Sequence, residues 1–236
     1  CVFCQNETIS HHPLGRRMTP RQLCQLFERV EALGVHNLNL VTPTHFAPAI
    51  FQALKMRKMG IPVVWNSSGY ETVEMIEAAR GLVDVFLPDF KYASSQTARQ
   101  LAAAPDYFEV TLRAIQAMCR ATGAPVYDGE GMLQSGTLVR HLVLPLRTGE
   151  SLKILDAIHD QLPAGTPVSL MRQYTPMNGV NLPGLDRPLT AREYRRVEDH
   201  MLALGLDGYV QSRQAATSAY TPHFMDDESV RLFPQE

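Results

Sequence analysis

The sequence predicts an α/β fold built on parallel strands. Short apolar runs alternate with segments of helical periodicity along most of the 236 residues. Nearly continuous apolar strands are typical of a parallel sheet that is covered on both faces. Repeated strand–helix units with right-handed crossovers then give either a doubly wound open sheet or a barrel, whole or partial.

The strands are predicted from five apolar runs: NLNLVTP, IPVVWNSSG, VDVFLPDFK, TLVRHLVLP and TPVSLMRQY. GYVQS predicts one last short strand, and there is room for another just before Cys1. Two segments rich in turn residues lie between these elements. We interpret APVYDGEGMLQSG as a loop or hairpin insertion and TPMNGVNLPGLDRP as a long loop.

The first helix is predicted to begin at Thr19 and Pro20 and to run to Leu33, where Gly34 closes it. A Thr-Pro pair is a good N-cap followed by a good first helical residue. The other predicted helices are FAPAIFQALKMRKMG, ending at Gly60, and YETVEMIEAARG, SSQTARQLAAA, YFEVTLRAIQAMCRATG, ESLKILDAIHDQLP and TAREYRRVEDHMLALG.

The composition is that of an ordinary globular protein, with 45% hydrophobic and 19% charged residues. The net charge of -2 gives no overall attraction to nucleic acid or to an anionic membrane. No apolar run approaches the roughly 20 residues that cross a bilayer. We therefore expect neither nucleic acid nor membrane as a partner.

Four cysteines are too few for a disulfide scaffold, and we expect a reducing cytoplasm as the compartment. Cys24 and Cys119 lie in predicted helices, where a buried thiol behaves as a small apolar residue. Cys1 and Cys4 form the motif CVFC, which by itself leaves several kinds of site open.

Three kinds of site fit the CVFC motif: a zinc site, a redox pair and an iron–sulfur cluster. Zinc would need a second ligand pair, and the nearest histidines, His11 and His12, are adjacent, an arrangement that rarely ligates one ion. A thioredoxin-like pair would place the motif between a strand and a helix of a much shorter fold.

Polar residues follow each predicted strand, in VTPTH, WNSSGYE, LPDFKY, VRHLVLP and MRQYTP. In parallel architectures, functional residues gather at the carboxyl ends of the strands. A single polar strand end is unremarkable, but five in succession predict a site at this edge.

Within these strand ends, Asp89 and Lys91 alternate along the chain and so can face the same side, either as ligands or as a structural salt bridge. Arg140 and His141 are neighbours inside an apolar strand, so their side chains must face opposite sides of the sheet. Because buried charge is costly unless paired, Arg140 is expected to face a polar centre and His141 a covering helix. Trp65 is expected to pack beneath the site.

Taken together, CVFCQN, NSSGYE, LPDFKY and VRHLVLP resemble motifs of the radical S-adenosylmethionine (SAM) enzymes, in particular the pyruvate formate-lyase activating enzyme group and its uncharacterised relatives. The resemblance implies a partial (β/α)6 TIM-like barrel over residues 1–211, followed by a C-terminal tail at 212–236. The family's loop is C-x3-C-x2-C, whose second half matches Cys1, Phe3 and Cys4. The first cluster cysteine and the first strand are expected upstream of Cys1, outside this sequence.

The resemblance implies that Cys1 and Cys4 are ligands of a 4Fe-4S cluster that leaves one iron open to SAM. An electron from the cluster then cleaves SAM, and the resulting radical abstracts a hydrogen atom. The implied partners are an electron donor such as flavodoxin or ferredoxin and a glycyl-radical enzyme or another protein substrate. The alternative function is a non-enzymatic iron–sulfur or zinc-binding scaffold.

The resemblance also implies where SAM is bound. Phe3 would contact adenine. Thr42 and Thr44, with Pro43 between them, stand where the family has a Gly-Gly-Glu turn that meets the amino group. At the methionine end the implied contacts are Asn66, Ser67 and Ser68, in a turn where Gly69 permits a tight backbone. The others are Lys91 on the carboxylate, Asp89 at the sulfonium or a bound cation, Arg140 as a further ligand, and Gln173 and Tyr174 at the ribose.

Overall fold

The computed structural model describes residues 1–4, 6, 15–176 and 182–211. The strands are β1 Leu38–Val41, β2 Val63–Ser67, β3 Val85–Pro88, β4 Val126–Tyr127, β5 Leu133–Thr137, β6 Val139–Leu142, β7 Val168–Met171 and β8 Gly208–Val210. The helices are α1 Pro20–Ala32, α2 Ala47–Met56, α3 Val73–Ala79, α4 Ser95–Ala102, α5 Tyr107–Thr122, α6 Thr148–Gln161 and α7 Ala191–Ala203. The predicted tail at 212–236, His11 and His12 lie outside the described residues.

Seven of the eight described strands run parallel, in two groups that meet at β3. Strands β1, β2, β3 and β5 pair in parallel in that order, and β6, β7 and β8 form a second parallel group. Only Leu138 separates β5 from β6, and its N–H donates to the Phe86 carbonyl at 3.0 Å. Further along, the Phe90 N–H donates to the Arg140 carbonyl at 2.8 Å. Strand β3 therefore runs beside both groups, which confirms the predicted α/β partial barrel with parallel strands.

The predicted insertion between α5 and β6 is a hairpin. Strand β4 pairs antiparallel to β5, with Val126 opposite Ser135 and Tyr127 opposite Leu133. The hairpin extends the edge of the sheet without interrupting the order of the parallel strands.

Helix α1 begins as predicted, because Thr19 and Gln22 form a reciprocal capping box. Helix α2 ends at Met56, so its predicted end at Gly60 was wrong. Arg57 is extended, and its guanidinium pairs with the Glu31 carboxylate, which also accepts from the Gly60 N–H. Because Glu31 of α1 binds both Arg57 and Gly60, the chain is extended at Arg57 and the helix ends before Gly60.

The core lies between the sheet and the helices that cover it. Its fully buried side chains include Trp65 of β2, Phe86 of β3, Ile115 of α5, Val139 of β6 and Leu170 of β7, each 0% exposed. Trp65 thus packs in the core as predicted. Among the described helices, none combines the length and the apolar character needed to span a membrane.

Candidate functional site

A cluster of three charges lies where the end of β3 meets Arg140, the second residue of β6. The Asp89 carboxylate is 2.7 Å from the Lys91 Nζ and 2.7 Å from the Arg140 Nη2. All three side chains are largely shielded, since they are 10%, 16% and 25% exposed respectively. Burial is the largest single influence and by itself would lower the pKa of Lys91, but the charge and hydrogen bond of Asp89, together with Tyr107, raise this pKa. Lys91 and Arg140 are therefore held as cations around one carboxylate.

Arg140 and His141 face opposite sides of β6, as the alternation of a strand requires. Arg140 reaches Asp89, whereas His141 is 1% exposed and its Nδ1 lies 2.6 Å from the Phe90 carbonyl. Burial lowers the pKa of His141 to about 4. The imidazole is therefore neutral at neutral pH, and it is a structural group behind the charged cluster.

Tyr107, the first residue of α5, forms hydrogen bonds with the residues that follow β2 and β3. Its hydroxyl lies 2.7 Å from the carbonyl oxygens of both Ser68 and Asp89 and accepts from the Lys91 N–H at 3.2 Å. A hydroxyl has one proton, so it donates to one of the two carbonyls at a time. Burial raises the pKa of Tyr107, which therefore remains a neutral phenol.

Gly69 brings the turn after β2 against β3. Its φ is +74°, and a Cβ at this position would lie 2.4 Å from the Asp89 carbonyl oxygen and 2.8 Å from the Thr111 Cγ2. No other residue type fits this backbone and this spacing. In the preceding residues of the turn, Asn66 is half-buried, Ser67 is buried and Ser68 is exposed.

Glu71 is a buried carboxylate that links the ends of β1 and β2. It is 4% exposed and accepts from the Thr44 hydroxyl, from the Trp65 indole N–H at 2.9 Å and from the Ser67 hydroxyl at 3.2 Å. Burial raises the pKa of Glu71 in spite of these hydrogen bonds. Thr44, which was predicted to contact SAM, is thus held by a residue that the sequence analysis did not single out.

Thr42 adopts an unusual backbone conformation at the end of β1. Its φ is +53°, in the left-handed region that a β-branched residue rarely occupies. Its N–H donates to the Asn66 carbonyl at 2.8 Å, and its side chain is exposed. Strained residues of this kind gather at ligand-binding sites.

The CVFC turn lies at the same edge of the sheet. The Cys4 N–H donates to the Cys1 carbonyl at 3.2 Å, and the Val2 N–H donates to the Leu101 carbonyl at the end of α4. The hydroxyl of Tyr92, the residue after Lys91, is 3.5 Å from the Cys1 Sγ. The CVFC thiols therefore share a neighbourhood with the charged cluster.

The end of β7 contacts the same turn through aromatic packing. Phe3 is 7% exposed and meets the Tyr174 ring edge-on, with centroids 5.6 Å apart. The Tyr174 hydroxyl donates to the Leu185 carbonyl at 2.7 Å, so its polar group is engaged within the protein. Gln173 is half-buried and accepts from the Gln211 side-chain amide at 3.3 Å.

The loop that carries Lys91 is anchored by Glu150 of α6. The Glu150 carboxylate accepts from the N–H groups of Ala93 and Ser94 and from the Thr97 hydroxyl. A crevice beside it is lined by Lys91, Tyr92, Leu142, Leu144, Arg147, Glu150 and Ser151. Glu150, Tyr107 and Glu71 are the positioning residues that the sequence analysis missed.

The two cysteines of the CVFC turn offer the type of ligand that an iron–sulfur cluster requires, since such clusters are bound by thiolates. Cys1 is exposed and Cys4 half-buried, and no disulfide engages either of them. Within the described ranges, no group of three or more histidine, cysteine, aspartate or glutamate side chains is arranged to hold a metal ion. Two thiols on one turn are what this part of the chain supplies.

Two solved structures share the fold. A radical SAM methyltransferase from Sphaerobacter thermophilus aligns with a TM-score of 0.63 and 15% identity over 93% of this chain and 64% of that protein. A domain of pyruvate-formate lyase-activating enzyme from Bacteroides vulgatus aligns with a TM-score of 0.53 and 12% identity, over 75% of this chain and 98% of that domain.

The sequence comparisons agree with this fold. An uncharacterised protein of Methanocaldococcus jannaschii is 30% identical over 207 residues, which cover 83% of this chain and 56% of the relative. The chain thus spans a little over half the length of that relative. Residues 1–133 match the Radical SAM superfamily. With the CVFC turn and the charged strand ends meeting at one edge of a partial barrel, this match shows that the chain belongs to the radical SAM superfamily.

Proposed function

We propose that the protein is a radical SAM enzyme that binds a 4Fe-4S cluster and SAM and abstracts a hydrogen atom from its substrate. The observation that carries the proposal is the contact of the CVFC turn, through Tyr92, with the strand end that holds Asp89 and Lys91. When bound, the cluster and SAM supply the electron and the radical chemistry. The chain's own residues bind and orient these groups.

The charged cluster is suited to one carboxylate. Lys91 and Arg140 each contribute one positive charge and Asp89 one negative charge, which leaves one net positive charge. Asp89 fixes both cations in place, and their shielding from water strengthens their attraction for an anion. We assign the carboxylate of SAM to Lys91 and Arg140, with Asp89 oriented toward the sulfonium end.

The remaining predicted contacts belong to the same proposal. Thr42 and Thr44 offer hydroxyl and carbonyl groups to the SAM amino group, and Asn66, Ser67 and Ser68 face its methionine end. Phe3 provides a partly apolar surface for adenine. Gln173 is assigned to the ribose, and Tyr174 supports Phe3 by packing. Cys1 and Cys4 would bind the cluster through their thiolates.

The substrate and the electron donor are assigned on the motif resemblance. Similarity of CVFCQN, NSSGYE, LPDFKY and VRHLVLP to the activating-enzyme group favours a glycyl-radical enzyme or another protein as the substrate. Flavodoxin or ferredoxin would supply the electron. We place the reaction in a reducing cytoplasm, where cysteine thiolates remain reduced.

The test is reductive cleavage of SAM. The purified protein is reconstituted anaerobically with iron and sulfide, reduced and mixed with SAM. Release of 5'-deoxyadenosine is expected, and a 4Fe-4S spectrum without cleavage would overturn the enzymatic proposal. It would instead favour the iron–sulfur scaffold, for which calorimetry should detect little SAM binding.

A matched pair of variants tests the carboxylate assignment. Lys91→Met removes the charge and keeps most of the side-chain volume, so SAM affinity should fall at least about tenfold, or about 1.4 kcal/mol. Lys153→Met removes an exposed lysine from α6 and should leave the affinity unchanged. Equal affinities of the two variants would contradict the assignment.

A further inference from the structure

Tyr92 is held rigidly between the charged cluster and the CVFC turn. It directly follows Lys91, is 1% exposed and meets the Tyr107 ring edge-on at a centroid distance of 5.0 Å. Tyr92 also lines the crevice that contains Arg147 and Glu150. Its burial and its contact with the Tyr107 ring fix the position of the Tyr92 phenol oxygen.

The Tyr92 hydroxyl donates to the Cys1 Sγ at 3.5 Å, a normal length for a hydrogen bond to sulfur. A cysteine that ligates iron does so as a thiolate, which can only accept. The direction of the hydrogen bond is therefore fixed once the cluster is bound.

Hydrogen bonds to the sulfurs of an iron–sulfur cluster are among the factors that set its reduction potential. The reduced cluster carries one more negative charge than the oxidised one. A donor aimed at a ligand sulfur therefore stabilises the reduced state more strongly, which makes the potential less negative.

We propose that Tyr92 is a positioning residue that sets the reduction potential of the cluster through its hydrogen bond to Cys1. The inference rests on the proposed function, because it requires a cluster on Cys1 and Cys4. In this role the hydroxyl makes the cluster easier to reduce by a protein electron donor. The same hydrogen bond holds the Cys1 side of the turn against the strand end that carries Lys91.

The test compares Tyr92→Phe with Tyr70→Phe in the reconstituted natural protein. Tyr70 belongs to the same aromatic group, since its ring stacks on Tyr107, but it is 41% exposed and its hydroxyl donates to Asp106. Each substitution removes one oxygen atom and keeps the ring. Far-UV circular dichroism and the iron and sulfide content verify that each variant folds and carries the cluster.

A redox titration followed by electron paramagnetic resonance provides the main readout. At the midpoint potential of the unchanged protein, the ratio of reduced to oxidised cluster should fall severalfold in Tyr92→Phe and stay constant in Tyr70→Phe. A tenfold fall corresponds to 59 mV for a one-electron couple. In resonance Raman spectra, an iron–cysteine stretch should rise in frequency in Tyr92→Phe alone.

Unchanged midpoints and spectra in both variants would overturn this inference and leave SAM cleavage unaffected. A cluster that shows the shift but does not cleave SAM would overturn the proposed enzymatic function and support the role of Tyr92. Failure of the unchanged protein to take up a cluster would overturn both.

Discussion

Asp89 and Arg140 are joined twice, once through the backbone and once through their side chains. The two residues form a parallel bridge between the end of β3 and the start of β6, and the Arg140 Nη2 lies 2.7 Å from the Asp89 carboxylate. The same carboxylate holds Lys91. The charged cluster therefore joins the two parallel strand groups as well as forming part of the candidate site.

The first prediction concerns this junction. Asp89→Asn leaves Lys91 and Arg140 as shielded cations without their counter-charge, so it should lower the free energy of unfolding by about 2–4 kcal/mol. Urea denaturation measures the change. Asp160→Asn, at an exposed aspartate beside His159, should change it by less than about 0.5 kcal/mol. Comparable losses in both variants would show that the junction adds nothing to stability.

The second prediction compares two glycines with the same backbone. Gly69 and Gly81 both have a φ of +74°, but a Cβ on Gly81 meets nothing within 4 Å. Gly81→Ala should therefore cost only the left-handed conformation, about 1–2 kcal/mol. Gly69→Ala adds a collision with the Asp89 carbonyl, which should cost about 1–3 kcal/mol more. Equal decreases in the urea midpoint of the two variants would mean that the backbone around Gly69 can shift to accept a Cβ.

The third prediction concerns pH and His141. Its pKa falls from an ordinary 6.5 to about 4 in the folded protein because burial disfavours the charge. Below pH 6.5, His141 binds a proton in the unfolded chain but not in the folded one. The free energy of unfolding is therefore highest above pH 6.5 and decreases as the pH falls toward 4. The expected loss from this group is about 2 kcal/mol between pH 7 and pH 5. Urea denaturation at the two values measures it.

His141→Asn is the control, since an amide can still donate to the Phe90 carbonyl but does not titrate in this range. The variant should lose less stability than the unchanged protein between the same two pH values. If both proteins lose the same amount, another group is responsible.

The fourth prediction uses the single tryptophan as a reporter of Glu71. The Trp65 indole N–H donates to the Glu71 carboxylate, whose pKa burial raises above the ordinary value of 4.5. Trp65 fluorescence should therefore titrate with a midpoint above 4.5, while the fold stays intact. Glu71→Gln should abolish this transition, and its persistence in that variant would assign it to a different carboxyl group.

The sign of the Glu71 contribution is opposite to that of His141. The folded state holds the Glu71 proton more tightly than the unfolded state, so this group makes stability fall as the pH rises from 4.5 through the raised pKa. The two groups act in overlapping pH ranges. Their effects are separated only by comparing each variant with the unchanged protein.

Much of the architecture could be predicted because local signals agree with the tertiary fold. The apolar runs became strands, and the capping pair at Thr19 marks the start of α1. Alternation along β6 correctly placed Arg140 toward the polar centre and His141 away from it. The motif resemblance was confirmed by the Radical SAM match over residues 1–133. The roles assigned to individual SAM-binding residues stay predictions.

The missed residues are those whose roles arise from contacts distant in sequence. Tyr107 has the pattern of an ordinary apolar helix residue, and only the fold brings its hydroxyl to the Ser68 and Asp89 carbonyls. Glu71 looks like a solvated turn residue, whereas it is buried under Thr44 and Trp65. Likewise, α2 ends early because Glu31 binds the Gly60 N–H, and the periodicity of the sequence around Gly60 does not predict this distant contact.

The bridge between Asp89 and Arg140 also orders events during protein synthesis. Arg140 leaves the ribosome only after α5 and the β4–β5 hairpin have been made, so a nascent chain exposes Asp89 and Lys91 without their partner strand. Contacts between distant parts of a chain are also slow to form, because closing the intervening loop costs entropy. The charged cluster can therefore form only after α5, the β4–β5 hairpin and the first residues of β6 have been synthesised.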